Sequence, residues 1–338
     1  MTVRRLTRPY ARSDRDLVTI LICNHNYERY LAAAIDSALS QTHRPLEILV
    51  VDDGSTDGSR EILRRYGPRI RTLLKENGGQ ASALNTGFRA SRGEIVCLLD
   101  SDDVFDKLKV ARVAEAFRSN PNAGWVYHEL DFMDHAGHLL PLDALPDRQN
   151  VAVIRRRREM YKDYAAIDIR SCFAAGERMP YTCPAFSALS FRRSTLDTIL
   201  PMPEDIAKAS DEFFKIAAVA LFPGIHLGHA LARQRLHAAN AATFRVDARA
   251  ETAKRYLKTA YHLRRRFAPI GPAMDNWFAS CFGRLVGASG TRAAFALQES
   301  RLYFADYFGP TTWIRQGPRI AFNAAREAVA RRTRAGTV

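Results

Sequence analysis

The chain lacks any apolar run long enough to cross a membrane. A spanning helix needs roughly 20 predominantly apolar residues, and the longest candidate, 277–288, is interrupted by Arg284 and several glycines. Residues 1–15 are rich in arginine and have no apolar centre of the kind a secretory signal carries. Cysteine is scarce: five, an odd number, with no Cys-x-x-Cys spacing. Cys23 and Cys97 fall inside apolar runs and read as small core hydrophobes in a reducing compartment. The expectation from these absences is a soluble cytoplasmic protein. Internal repeats and low-complexity tracts are missing as well. Acidic residues are in deficit, 36 against 50 basic ones, for a net charge of +14. Such a charge suggests nucleic acid, yet the arginines form no recognisable DNA- or RNA-binding motif. They lie in an N-terminal arm (Arg4, Arg5, Arg8, Arg12), in Arg155-Arg156-Arg157-Arg158, and in a C-terminal third with Arg264-Arg265-Arg266 and Arg331-Arg332. Nucleic acid is therefore not the expected partner; anionic lipid headgroups or an acidic glycan suit the same charge.

What the chain does have is enough apolar material for a core, 47% of 338 residues. Up to about residue 115, strand and helix patterns alternate, which predicts an α/β fold with a mostly parallel sheet. Strands are expected at 18–23, 47–51, 70–74 and 94–99, and helices at 30–40, 57–66, 80–90 and 106–118. Beyond Gly124 the pattern changes to a hairpin over 125–132 and 139–142, an uncertain basic stretch over 151–174, and a core strand at 185–191. A helix at 211–221 and a strand at 225–236 follow. From 246 onward the sequence reads as helical, with breaks at 269–272 and 283–290.

Three polar clusters each follow an apolar strand. They are Asp52-Asp53-Gly54-Ser55-Thr56-Asp57-Gly58, then Glu76-Asn77-Gly78-Gly79-Gln80 leading to Asn85-Thr86-Gly87, then Asp100-Ser101-Asp102-Asp103. Ligands of open α/β sheets bind beyond the carboxyl ends of the strands, so the three clusters converge on one crevice. Three carboxylates within four residues repel one another unless a cation sits among them. Hard divalent ions prefer carboxylate and phosphate oxygens. Gly78-Gly79 permits close backbone approach, and the helix opening at Gln80 offers free N–H groups to an anion.

From Leu17-Val18-Thr19-Ile20-Leu21-Ile22-Cys23-Asn24-His25-Asn26 through Asp103, the sequence resembles the nucleotide-sugar half of family 2 glycosyltransferases. A looser match continues to Asn240. The resemblance implies a GT-A type, Rossmann-like, mostly parallel sheet flanked by helices, with a helical C-terminal extension. The implied layout is a basic arm at 1–15, a catalytic domain at 16–247 whose donor and acceptor halves meet near 120, and a basic helical region at 248–338. The activity implied is inverting, metal-dependent transfer of a hexosyl or N-acetylhexosaminyl group from a nucleotide-sugar, in the first instance a UDP-sugar. The acceptor is a hydroxyl of a glycan or lipid-linked acceptor in glycan or glycolipid biosynthesis. Asn24, Asp52, Asp53, Lys75, Gly79, Asn85, Asp100 and Arg235 are the implied donor-binding residues. Asp52 would accept the uracil N3–H, Asp100 would meet the ribose, and Arg235 would offset diphosphate charge. Asp102, Asp103 and His237 are the implied ligands of Mn²⁺ or Mg²⁺, His237 within Arg235-Leu236-His237-Ala238-Ala239-Asn240. The acceptor base is expected at Asp211, with Glu212 and Asp205 as alternatives. The Gln-x-x-Arg-Trp motif and membrane helices of processive synthases are absent, which implies a single transfer per encounter.

Two other readings compete. A nucleotidyltransferase of similar build would carry a Gly-rich loop with Arg and Lys after the first strand, where this chain has Cys23-Asn24-His25-Asn26-Tyr27. A non-catalytic basic adaptor would have no use for intact acidic clusters. Near the C-terminus, a helix over 318–332 is expected to place Ile320, Ala321, Ala324, Ala325, Ala328 and Val329 on one side, with Arg319, Arg326, Arg331 and Arg332 supplying charge. Either it packs on the catalytic domain, or it contacts an anionic membrane at the inner face of the cell.

Overall fold

The computed structural model describes residues 17–177, 179–206, 211–237 and 249–335. The N-terminal arm, and Asn240 with the rest of 238–248, lie outside the described residues. Along the chain run β1 (Val18–Asn24), α1 (Glu28–Leu39), β2 (Leu46–Asp53), α2 (Ser59–Tyr66), β3 (Arg71–Lys75), α3 (Gly79–Ala90), β4 (Ile95–Asp100), β5 (Val104–Phe105) and α4 (Lys109–Ser119). Then come β6 (Trp125–Met133), β7 (Leu139–Leu140), α5 (Arg148–Met160), β8 (Tyr164–Ile167), α6 (Arg170–Ala175), β9 (Leu189–Arg192), α7 (Arg193–Ile199), α8 (Asp211–Leu221) and β10 (Gly224–Arg235). The last helices are α9 (Arg249–Arg266), α10 (Gly271–Ser289), α11 (Thr291–Ala296), α12 (Gln298–Tyr307) and α13 (Pro310–Ala335). The chain divides into two compact units: the first runs to Asp168 and resumes at Thr182, and the second takes Ile169–Tyr181 together with the helices from α9 onward.

In the first unit one sheet runs β3-β2-β1-β4-β9-β6-β10-β5, with β7 beside β6 and β8 beside β10. β1 pairs in parallel with β2 and β4, and β2 with β3. β9 enters antiparallel between β4 and β6, so the sheet is mixed. Val18, Ile20, Leu21 and Ile22 of β1 are fully enclosed, as expected of a central strand covered on both faces. α1 covers one face with Tyr30, Leu31, Ala34, Ile35 and Ala38, which recur at helical spacing. Registers Asn24↔Asp52, Cys23↔Asp100 and Asp53↔Lys75 bring the ends of the four parallel strands level.

Three sequence expectations change. The strand expected at 185–191 begins only at Leu189, after a 3-10 turn at Phe186–Ala188. The uncertain stretch is α5, β8 and α6. Of its arginine run only Arg157 is buried, forking onto Glu129 (2.6 and 2.8 Å); half-buried Arg158 meets Leu130 O and Asp131, and exposed Arg155 meets Asp143. Gly283 does not break a helix; it lies inside α10.

The second unit has its own aromatic core around Phe278, Phe282, Tyr303 and Phe308. A Cβ on Gly283 would sit 2.4 Å from Ile320 O, and one on Gly287 2.3 Å from Ala324 O, so both glycines let the backbones of α10 and α13 touch. That contact rotates α13 away from the expected orientation. Ile320, Ala324 and Ala328 are half-buried, while Ala321 and Ala325 are exposed. Among the described residues no helix is long and apolar enough to cross a membrane.

Candidate functional site

The level strand ends collect the sequence-identified polar residues on one edge. Asn24, at the end of β1, is buried; its Nδ2 donates to Asp52 Oδ2 (3.1 Å) and Ser55 Oγ (3.0 Å). Asp52 is fully enclosed, and its Oδ1 accepts from Ser55 N (3.1 Å) and Arg60 Nε (2.9 Å). Burial pushes this carboxyl upward, but hydrogen bonds from Ser55, Arg60 and Asn24 outweigh it and hold the group below its ordinary range. Asp53 ties down the next loop. Its Oδ1 accepts from Lys75 Nζ (2.5 Å) and Gly78 N (3.0 Å), and its Oδ2 from Gly79 N (2.8 Å). Gly79 has φ +83°, a left-handed conformation that favours glycine, and this lets the chain turn from the loop into α3.

Asn85, another of the implied donor-binding residues, is buried on α3. Its amide closes a two-way bond with the backbone of Met202 (2.9 Å each way) and donates to Glu204 Oε1 (3.1 Å). In this structure it anchors the segment carrying Glu204 and Asp205 to α3.

Asp100, Asp102 and Asp103 offer carboxylate oxygens within 4.8 Å of one another. Asp100 is pushed well above the ordinary carboxylate range by burial, then by the charges of Asp102, Asp103 and Asp211. Asp103 is raised by burial and Asp102, against opposing bonds from Ser187 and Arg235. Like charges held this close favour a bound cation. The cluster is braced from below. Ser187 Oγ donates to Asp103 Oδ2 (2.6 Å) and accepts from Asp100 N (3.0 Å), while Arg235 N donates to Asp103 Oδ1 (2.8 Å). Arg235 Nε donates to Asp102 O (2.8 Å), and His237 Nε2 lies 3.0 Å from Asp102 Oδ2. The guanidinium of Arg235 lies over the Tyr30 ring (4.8 Å) and also reaches the carbonyls of Asp134 and His135. Tyr30 and Tyr27 pack against the His237 ring at 4.8 and 5.9 Å.

Asp211 opens α8, and its charge reaches Asp100. Lys215, one turn on, lies 3.3 Å from Asp211 and 2.7 Å from Glu212. Burial lowers the Lys215 pKa, but the two carboxylates overcome it and raise the group. Glu204 and Asp205 are exposed.

Sequence reasoning missed Ser187, Arg60, Tyr27, Tyr30 and Lys215. Lys215 had a readable signal, one helical turn after an acidic pair. Ser187 had none, because Phe186-Ser187-Ala188-Leu189 reads as plain strand.

Comparison with known proteins agrees with this geometry. Residues 19–182 match the model of glycosyl transferase family 2. An uncharacterized glycosyltransferase of Nostoc sp. is 35% identical over 189 residues, 55% of this chain and 53% of the relative. Chondroitin synthase of Escherichia coli is 36% identical over 127 residues, 37% of this chain and 18% of the relative. The chain thus spans about half the length of the first of these relatives, and less of the second. Residues 1–349 of TarS from S. aureus, in complex with UDP-GlcNAc, superpose with a TM-score of 0.58 at 15% identity, covering 94% of this chain and 92% of that one. The mannosyltransferase PcManGT from Pyrobaculum calidifontis, in complex with GDP-Man and Mn²⁺, gives 0.51 at 21% identity, covering 96% and 91%. Residues 19–182 thus match a glycosyl transferase family 2 domain, and the likeness to the solved structures shows a GT-A fold.

Proposed function

We propose that the protein is an inverting, non-processive glycosyltransferase that moves a hexosyl or N-acetylhexosaminyl group from a UDP-sugar to a hydroxyl acceptor. The observation carrying this reading is the acid triad at the carboxyl edge, its oxygens within 4.8 Å, facing Arg235, His237 and Asp211. The family match and the UDP-GlcNAc complex of TarS support the donor class.

The all-oxygen donor set and the elevated Asp100 and Asp103 carboxyls fit a hard divalent ion such as Mn²⁺ or Mg²⁺. Asp102 and Asp103 would hold it, with His237 beside Asp102. Such an ion supplies positive charge where the leaving diphosphate gains negative charge. The chain's own residues do the rest. Asp52 would meet the base at the oxygen that now receives Arg60, and Asp53 keeps Lys75 and the Gly78-Gly79 turn in place. Asp100 would meet the ribose, and Arg235, bonded to Asp102 O and Asp103, would offset charge on the diphosphate. Asp211 takes the proton of the acceptor hydroxyl as its oxygen bonds to the anomeric carbon and the bond to the diphosphate breaks on the opposite face.

The test is release of UDP from UDP-GlcNAc and other UDP-sugars, with and without Mn²⁺. Asp102→Asn, nearly constant in volume, is expected to abolish turnover and to remove any rise in Tm on adding Mn²⁺. Asp211→Asn is expected to keep donor binding and lose turnover on the order of 10² to 10⁴-fold. Metal binding by calorimetry that is unchanged in Asp102→Asn would sink the metal assignment. Full activity in Asp211→Asn with loss in Asp205→Asn would move the base.

A further inference from the structure

The second unit ends in a helix with two unlike faces. One face of α13 meets α10: Ile320 and Ala324 lie against Gly283 and Gly287, and buried Gln316 donates to Asn276 Oδ1 (2.7 Å). Trp313 is occupied by its own core, stacked 5.3 Å from Phe304. The other face is apolar and exposed. Ile314 is 77% exposed and Phe322 66%, and Pro318, Ala321 and Ala325 between and beside them are exposed as well. At 3.6 residues per turn these five fall within about 100° of arc. Arg315, Arg319 and Arg326, all exposed, occupy the adjoining arc and give it a cationic border. The only acid in α13, Glu327, lies on the α10 side, its Cβ 2.9 Å from where a Gly287 side chain would start.

We propose that this face of α13 seats on an anionic phospholipid surface, with Ile314 and Phe322 entering the headgroup boundary and Arg315, Arg319 and Arg326 meeting lipid phosphates. Charge complementarity selects the occupant. A second copy packed on the same face would set arginine border against arginine border, and a nucleic acid would leave Ile314 and Phe322 against a polar backbone. A bilayer alone offers apolar and anionic contact at adjacent depths. Two large side chains insert weakly, so charge must contribute and salt must weaken binding. The proposal does not depend on the catalytic reading; if both hold, the enzyme works beside a lipid-linked acceptor.

The experiment is flotation of the full chain with vesicles of phosphatidylcholine and phosphatidylglycerol in equal parts, against phosphatidylcholine alone, at low and high salt. The wild type should float with the anionic vesicles at low salt only. Each arginine contributes about five-fold near such a surface, so Arg315→Gln with Arg319→Gln and Arg326→Gln should weaken binding on the order of 100-fold. Ile314→Ser with Phe322→Ser should weaken it on the order of 10-fold. All these side chains are exposed, so unchanged melting curves accompany the loss. The proposal is overturned if the wild type does not float, if neutral vesicles bind it equally, or if either variant binds as the wild type does. It is also overturned if light scattering finds a wild-type dimer that the Ile314 and Phe322 variant abolishes.

Discussion

Ser187 carries more of the site than its bland surroundings suggest. One hydroxyl accepts the Asp100 N–H and donates to an Asp103 carboxylate, fixing both ends of the acid cluster from outside it. Ser187→Ala removes the donor that opposes the raised Asp103 carboxyl. Groups that orient metal ligands are worth about 10–100-fold in metal affinity when removed. The variant is therefore expected to need roughly that much more Mn²⁺ for half-maximal donor hydrolysis, while stability falls by about 1–3 kcal/mol because the Asp100 N–H and an Asp103 oxygen each lose a partner. A titration of activity against Mn²⁺ that superposes on the wild type would remove Ser187 from this positioning role.

At the scale of elements, what the sequence made legible follows from how local each signal is. β1 to β4 and α1 to α4 were readable because a buried parallel strand is one apolar run and its helix a 3.6-residue repeat; the ends shift by a few residues at most. The acid cluster was readable because three carboxylates in four residues have few structural uses. The hydrogen bonds of Asn85 were not, because its partners, Met202 and Glu204, lie far along the chain. Gly283 misled for the same reason. A glycine in isolation signals a break, and only the approach of α13 explains one inside α10. This yields a prediction of definite sign. Gly287→Ala gains about 1 kcal/mol of helix propensity, but its Cβ would meet a backbone oxygen at 2.3 Å, which no side-chain rotation relieves. Overpacking costs about 1–3 kcal/mol, so net destabilisation of the second unit is expected. Faster amide exchange in α10 and α13 would register it; slower exchange would mean that propensity wins.

For the whole molecule, two buried charges in the first unit shape the dependence of stability on pH. Glu129 is raised by burial, but Arg157 and His226 overcome this and lower it from 4.5 to about 2. Its contribution is complete above pH 4.5 and is lost as pH falls toward 2, because the unfolded chain then takes the proton first. Lys109 is the opposite kind of group. It is fully buried under the sheet, with Leu98 O, Ser187 O and the Phe105 ring as its neighbours, and burial lowers it from 10.5 to about 7. Between pH 7 and 10.5 the unfolded chain holds a proton that the folded chain has released. Stability must then rise with pH across that window, by up to about 1.4 kcal/mol per pH unit. Below pH 7 the buried ammonium is a constant cost. Lys109→Met keeps the apolar stem and removes the titration, so the variant should show a flatter alkaline limb. The two units need not unfold together, so the measurement belongs to the first unit alone: amide exchange of β4 across the alkaline window, corrected for the intrinsic rate. Parallel alkaline limbs in wild type and variant would mean that Lys109 keeps its proton in the fold, despite burial.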